Sequence, residues 1–291
     1  MPELPEVEIT RRRIEALLVG RPIRALHTTR ASYFFLTPPE VLREALRGRC
    51  IDRLLRRGKY LVGQLDDGSR LLLHLGMTGQ LFSAAATSLR LLSATARASL
   101  PPEAQLRFEP DLHTHLHFEF EDGGEAVYMR DVRKFGKVLW LAPGESSPRL
   151  DRLGVDALEV SGELLFAASR KRVVAVKNLL LDQAVVAGVG NIYADEALFL
   201  AGVRPTRRAG RVSRREYEAI AAGLLQVLRR SIETGGSSIS DYVTPDGSDG
   251  NYQNERRVYA RKGDACVSCA SPIKRIVVGQ RGTHYCPRCQ R

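Results

Sequence analysis

Four cysteines near the end of the chain constrain its folding most. Cys266 and Cys269, then Cys286 and Cys289, follow the spacing C-x2-C-x16-C-x2-C. Two such pairs separated by a hairpin-length segment fit a structural zinc site of four thiolates. Four thiolates leave no coordination position open, so the single Zn2+ would hold shape and do no chemistry. The competing reading is redox use, since a CxxC pair alone serves thiol chemistry. Lys274, Arg275, Gln280, Arg281 and His284 lie between the pairs. A metal-braced hairpin with Arg281 at its tip is suited to meeting nucleic-acid phosphate. The fifth cysteine, Cys50, stands alone and reads as a small buried apolar residue.

The charge balance points the same way. The 291 residues carry a net charge of +11, which favours a polyanionic partner, with nucleic acid ahead of an acidic membrane. The length suits about two domains with a core in each. No hydrophobic run approaches a membrane span, and an acidic N-terminus is the wrong start for a signal peptide. The expected location is therefore the cytoplasm, where thiols stay reduced.

The chain opens Met1-Pro2-Glu3-Leu4-Pro5-Glu6-Val7-Glu8, followed by apolar residues at helical spacing up to Gly20. One reading is structural: proline suits a first helical turn, and carboxylates there offset the positive end of the helix dipole. The other is chemical. Removal of Met1 would leave Pro2 with a free secondary amine. With ordinary pKa values of about 8 and about 10.4, a terminal amine is neutral at pH 7.4 more than about 100 times as often as a lysine. Such an amine can attack a sugar aldehyde carbon to give an iminium that acts as an electron sink. Glu3 and Glu6 would then stand in reach as proton donor and orienting group. These residues alone leave both readings open.

Residues 22–83 read mainly as strands, with a short helix from Pro39 to Leu46. Arg56-Arg57-Gly58-Lys59-Tyr60-Leu61 sets positive charge beside a strand, as an edge guard or a phosphate clamp. In Leu73-His74-Leu75-Gly76-Met77-Thr78-Gly79, two glycines bracket a methionine, which is either buried or exposed as a wedge for a base stack. Residues 84–110 read as a surface insertion without identifiable chemistry. His113, His115 and His117 alternate along a strand and would share one face, a spacing open to a metal though without a partnering carboxylate or cysteine. Asp131-Val132-Arg133-Lys134-Phe135-Gly136 reads as a hairpin tip presenting a cation and an aromatic, either a simple contact or a wedge into duplex DNA. Beyond a linker at 142–154 the period turns helical: Gly162–Ser169, Lys177–Gln183, Asn191–Ala201 and Arg214–Ile232. Gly188-Val189-Gly190-Asn191 precedes a helix, where freed N–H groups can meet a phosphate and Asn191 can cap or donate. Residues 235–254, rich in glycine and small polar residues, read as a functional loop.

The motifs MPELPEVE, GKY, HLGMTG, VRKFG, GVGNIYADE and THYCPRCQR, in this order from Met1 to Arg291 apart from 84–110, closely resemble the formamidopyrimidine-DNA glycosylase family of bacterial base-excision repair enzymes. The resemblance implies an α+β protein. It would have an N-terminal catalytic β-sandwich-like domain over 1–141 and the linker 142–154. A helix-two-turn-helix domain over 155–258 with a lesion loop at 235–254 would follow, then a zinc-ribbon finger over 259–291, with DNA in the cleft between the domains. It implies that processed Pro2 attacks deoxyribose C1′, expels an oxidised purine and forms a Schiff base, after which β- then δ-elimination cuts the strand. Glu3 would be the general acid/base and Glu6 its support. Lys59, His74, Asn191 and Arg281 match phosphate-contacting positions, and Lys177 matches a lysine near the helix–turn–helix. Met77, Arg133 and Phe135 match the trio that fills the space left by base flipping.

Val132 and Lys134 depart from the family's usual Pro and Arg. The implied partner is damaged double-stranded DNA, bound by a cytoplasmic, nucleoid-associated monomer with no membrane attachment. Two alternatives stand beside it. One is an endonuclease VIII-type enzyme for oxidised pyrimidines, against which Leu4 and the Met77/Arg133/Phe135 set argue. The other is a non-catalytic DNA-binding relative, against which intact Pro2, Glu3 and Glu6 argue.

Overall fold

The computed structural model describes residues 2–83, 86, 108–238, 242, 244, 245 and 248–291. The chain forms two compact units, Met1–Ser147 with Gly235–Asn251, and Pro148–Thr234 with Tyr252–Arg291. Most of the expected insertion at 84–110 and part of the 235–254 loop lie outside the described residues.

The first unit starts with helix α1, Leu4–Leu18, which has Pro5 in its first turn and the buried apolar residues Val7, Ile14 and Leu18. Two antiparallel four-stranded sheets follow. One contains β1 (Ile23–Thr28), β6 (Thr114–Phe120), β7 (Val127–Asp131) and β5 (Gly79–Ser83), in that order. The other contains β2 (Ile51–Arg57), β3 (Tyr60–Leu65), β4 (Arg70–His74) and β8 (Lys137–Leu141). Helix α2, Pro39–Leu46, connects β1 to β2. A core shared by both sheets holds these parts together. It draws Leu26, Phe118 and Met129 from the first sheet, Leu54, Leu61 and Leu73 from the second, and residues of both helices. Removing such side chains from water, each worth roughly 1.5–3 kcal/mol, is what makes the two sheets one unit.

The sheet corrects the expectation of three histidines on one face. Pairing of β6 with β7 shifts register between Thr114 and Leu116, and an extra residue in a strand breaks the two-residue alternation. His115 is fully buried, with Nδ1 2.9 Å from Thr29 Oγ1 and Nε2 3.0 Å from the Asp131 carbonyl. His113 precedes the strand, and only His117 lies on its outer side. Cys50 is also corrected: it is half-buried rather than buried.

The second unit is helical. A single turn α3, Pro148–Asp151, leads into α4 (Gly162–Ser169), α5 (Val176–Leu181), α6 (Asn191–Leu200) and α7 (Arg214–Glu233). Two short strands, β9 (Val155–Asp156) and β10 (Val186–Ala187), pair in parallel. The α7 helix starts with a reciprocal cap, Glu216 N–H on Ser213 Oγ and Ser213 N–H on the Glu216 carboxylate at 2.8 Å. Arg207 also binds that carboxylate and holds its pKa down at about 2. The unit ends in the antiparallel hairpin β11 (Lys274–Val278) and β12 (Arg281–Tyr285).

Candidate active site and nucleic-acid interface

Residues flanking the N-terminal helix start are unusually enclosed for charged groups. Pro2 is buried, and Glu3 and Glu6 are 2% and 1% exposed. Glu3 is the N-cap of α1, with extended backbone, and its N–H donates to Glu6 Oε2 at 2.9 Å. The other Glu6 oxygen, Oε1, accepts the backbone N–H of Ser237 at 2.9 Å, and the Tyr242 hydroxyl donates to the Glu6 carbonyl at 3.3 Å. A segment far along the chain thus closes over the helix start. Gly236 makes this approach possible: its φ is +85°, and a Cβ there would stand 3.3 Å from Glu6 Oε1.

Lys59 lies in the turn between β2 and β3 and is 9% exposed. The turn is tied to α1 through Arg56, whose Nε donates to Glu8 Oε2 at 3.0 Å while Nη1 donates to the Gly58 carbonyl at 3.1 Å. Glu8 also binds Arg11 and Arg12. Those cations hold its pKa below the usual carboxylate range, against a burial that pushes the other way.

A second set of residues is grouped at two abutting turns. His74 ends β4, with its ring 4.7 Å from that of Tyr60 and its Nδ1 accepting the Gly76 N–H. Gly76 has φ +64°, and a Cβ there would lie 2.4 Å from the Gly136 nitrogen. No other residue fits so close to the neighbouring turn. That turn is organised by Asp131, fully buried, which accepts N–H bonds from Arg133 at 3.2 Å and Gly136 at 2.7 Å and a hydroxyl bond from Thr78. Met77 and Phe135 stand out of the two turns, 36% and 43% exposed, and the Arg133 guanidinium lies 4.6 Å over the Phe135 ring. Large apolar side chains held in solvent by a buried carboxylate are arranged for contact with something outside the chain. Sequence reasoning missed Asp131 as a positioning residue, although an aspartate opening a turn is the available signal.

In the second unit, α6 and the hairpin are locked together from inside. The Lys177 ammonium is fully buried, 2.7 Å from Asp195 Oδ1 and donating to Thr283 Oγ1 at 2.8 Å and the Gly282 carbonyl at 3.1 Å. Lys177, which the resemblance sets near the helix–turn–helix, is an interior strut. Asn191 is the first residue of α6 and does not cap it, since Gly190 holds the cap position. Its Nδ2 donates to the Gly282 carbonyl at 2.9 Å. Asp195 Oδ2 accepts the His284 N–H at 2.7 Å, and Glu196 accepts three backbone N–H groups from Arg257, Val258 and Tyr259, each at 2.9 Å. Asp195 and Glu196 were also missed: their sequence gives no sign that the helix face points at the hairpin. Arg281, at the hairpin's turn, is exposed.

Cys266, Cys269, Cys286 and Cys289 converge, with their sulfurs all within 4.8 Å of one another. The Cys266–Cys289 and Cys269–Cys286 sulfurs are 3.9 and 3.4 Å apart, close to the ~3.8 Å edge of a tetrahedron with Zn–S of ~2.3 Å. The Ser268 and Cys289 N–H groups point at the Cys266 and Cys286 sulfurs, both at 3.4 Å, as bonds that stabilise thiolate ligands do. The residues fit one structural zinc.

Fold and site together define the class, a zinc-ribbon DNA glycosylase with a helix-two-turn-helix domain. Residues 1–138 match the formamidopyrimidine-DNA glycosylase N-terminal domain, 153–243 its H2TH domain, and 263–291 the zinc finger found in FPG and IleRS. The chain belongs to the formamidopyrimidine-DNA glycosylase family. It is 43% identical to the formamidopyrimidine-DNA glycosylase of Thioalkalivibrio sulfidiphilus and 41% identical to that of Magnetococcus marinus, over the whole of each chain. The MutM (Fpg) protein of Thermus thermophilus superposes with a TM-score of 0.83 at 36% identity, covering 99% of this chain and 98% of that one. The Lactococcus lactis Fpg bound to DNA containing an abasic site gives 0.84 at 33% identity over 99% of both chains. The same protein bound to Fapy-dG-containing DNA gives 0.83 at 33% over 99% and 100%.

Proposed function

We infer that this chain is a bifunctional DNA glycosylase/AP lyase of base-excision repair, which flips oxidised purines such as 8-oxoguanine and formamidopyrimidines out of duplex DNA and excises them through Pro2. One observation carries the mechanism: two carboxylates, 2% and 1% exposed, sit at a helix start next to Pro2. Burying carboxylates is costly, and a capped helix needs neither to be sealed from water.

Once Met1 is removed, the Pro2 nitrogen lone pair bonds to C1′ and the base leaves with the electron pair of the C1′–N bond, taking up a proton. Glu3 supplies and withdraws protons at the sugar, and Glu6 holds Glu3 and the Ser237 segment in place. The Pro2 nitrogen gives up its proton, the C1′–O4′ bond opens with its electron pair going to O4′, which takes up a proton, and the resulting iminium acidifies the C2′ proton. Its loss expels the 3′-phosphate, and a second elimination expels the 5′-phosphate. Lys59, His74 and Arg281 hold phosphates of the damaged strand, while Met77, Arg133 and Phe135 fill the space the flipped base leaves. Lys177 and Asn191, whose donors already engage the hairpin, serve by placing Arg281 and the start of α6.

We read the domain boundaries as 1–141, 142–154, 155–258 and 259–291, with residues 235–254 facing the lesion. We also read the protein as a monomer working on nucleoid DNA in the cytoplasm. Its net charge of +11 supports that reading, and among the described residues no helix is long and apolar enough to cross a membrane.

The test is borohydride trapping on a duplex with one 8-oxoguanine opposite cytosine, using wild type and Pro2→Gly, with the N-terminus checked by mass spectrometry. A wild-type adduct mapping to the Pro2 peptide is the expected result. Tight binding by a processed protein without an adduct would overturn it, and an adduct only with oxidised pyrimidines would favour the endonuclease VIII-type reading.

A further inference from the structure

The outer face of the β1–β6–β7–β5 sheet carries a second group of metal-binding side chains, far in sequence from the ribbon. His27 in β1 and His117 in β6 are direct cross-strand partners, and Glu119 follows two residues along on the same face. His27 Nε2 lies 3.0 Å and His117 Nε2 3.9 Å from Glu119 Oε1, and donor atoms of all three lie within 4.8 Å of one another. Two imidazole nitrogens and a carboxylate oxygen around a tetrahedral Zn2+ at ~2.0–2.1 Å stand about 3.3 Å apart. The three donors therefore need only small rotamer adjustments to close on an ion.

We propose that His27, His117 and Glu119 form a second, exchangeable site for a divalent transition ion of the Zn2+ type, independent of the four-cysteine ribbon. Imidazole with one carboxylate suits zinc, nickel or copper and is poorly matched to magnesium or calcium, which take oxygen ligands. The frame is rigid: the two histidines are fixed by the β1–β6 register, and the His117 ring packs 4.7 Å from that of Tyr128. Three protein ligands leave one position to water, and side-chain exposures of 55% for His27 and 39% for Glu119 keep the ion in contact with solvent. Binding is therefore weaker than at the ribbon and reversible. An ion here would clamp β1 to β6 across the sheet and stabilise the first unit by mass action.

The rival is a simple ion pair, His27 on Glu119, with no metal affinity. The two are separated with the untagged full-length protein carrying its ribbon zinc. The protein is dialysed against buffered micromolar Zn2+, and bound metal is counted by atomic emission. Wild type should hold two ions per chain, whereas His27→Ala and Glu119→Gln should hold one. The ribbon ion retained in the variants reports that they are folded. The wild-type Tm should rise with added Zn2+ more than that of either variant. A wild type that stops at one ion, or variants that still take two, would overturn the proposal.

Discussion

Glu6 shows how much one side chain can be asked to do. Its two oxygens serve two N–H groups from distant parts of the chain, those of Glu3 and Ser237. An amide in its place has one oxygen and one NH2, so either way it turns, one N–H faces another. Glu6→Gln is therefore expected to cost about 1–3 kcal/mol of stability, the usual penalty for a buried group left unbonded. It should also slow single-turnover excision, because the loop that closes over the helix start is released. Glu3→Gln removes proton transfer and should slow excision by roughly 10²–10⁴. Thermal melts and single-turnover assays on an 8-oxoguanine duplex check both, and wild-type excision by Glu3→Gln would remove that residue from the chemistry.

Elements are held in register by buried charge. Arg56 joins the turn bearing Lys59 to α1 through Glu8, with both side chains about nine-tenths buried. Arg56→Met keeps the bulk but leaves Glu8 to Arg11 and Arg12, so a loss of about 1–3 kcal/mol is expected, short of the cost of an orphaned charge. Chemical denaturation measures it, and the trapping rate should fall while duplex affinity holds. The cap of α7 gives a prediction with a sign in pH. Arg207 holds Glu216 at about 2, below the ~4.3 of an unfolded glutamate. A lowered carboxylate stabilises fully above the unfolded pKa and loses that contribution as pH falls through the folded one. The stability gap between wild type and Glu216→Gln, about 1 kcal/mol for a cap, should be constant from pH 7 to 5 and close between about 4.3 and 2. Urea unfolding at a series of pH values reads it. The helices themselves were plain in the sequence. Pro39–Leu46 and Gly162–Ser169 form as expected, because proline and a serine cap mark their starts and apolar spacing their extent.

At the scale of the molecule, the ribbon is part of the second unit's interior. Phe199 of α6 packs with Val258, Ile273, Cys266 and Cys286, and the Gln290 side chain donates to the Val203 carbonyl. Chelating the zinc should unfold the hairpin, withdraw Arg281, and release the contacts that Lys177 and Asn191 make to Gly282. Duplex affinity is then expected to collapse while the β-sheet circular dichroism of the first unit persists, and returning Zn2+ should restore binding. Retained affinity after verified metal loss would show that the ribbon plays no part in the grip.

The sequence by itself determined what depends on local spacing and composition. The four-cysteine spacing, the helix caps and the family motifs are each written in a short stretch of chain, and the basic charge is a sum over composition, so none of them needs a tertiary partner to be seen. Only the tertiary structure decided which charges are interior. Lys177 is a buried strut, which its local sequence does not show, because its partner Asp195 stands eighteen positions away and the carbonyl of Gly282 more than a hundred. The histidines of β6 parted because a register shift against β7 moved them to different faces, and His27 met His117 because β1 pairs with β6 across the whole first unit. Strand pairing and the burial of a charge are settled by partners distant in the chain, and those partners meet only when the core closes.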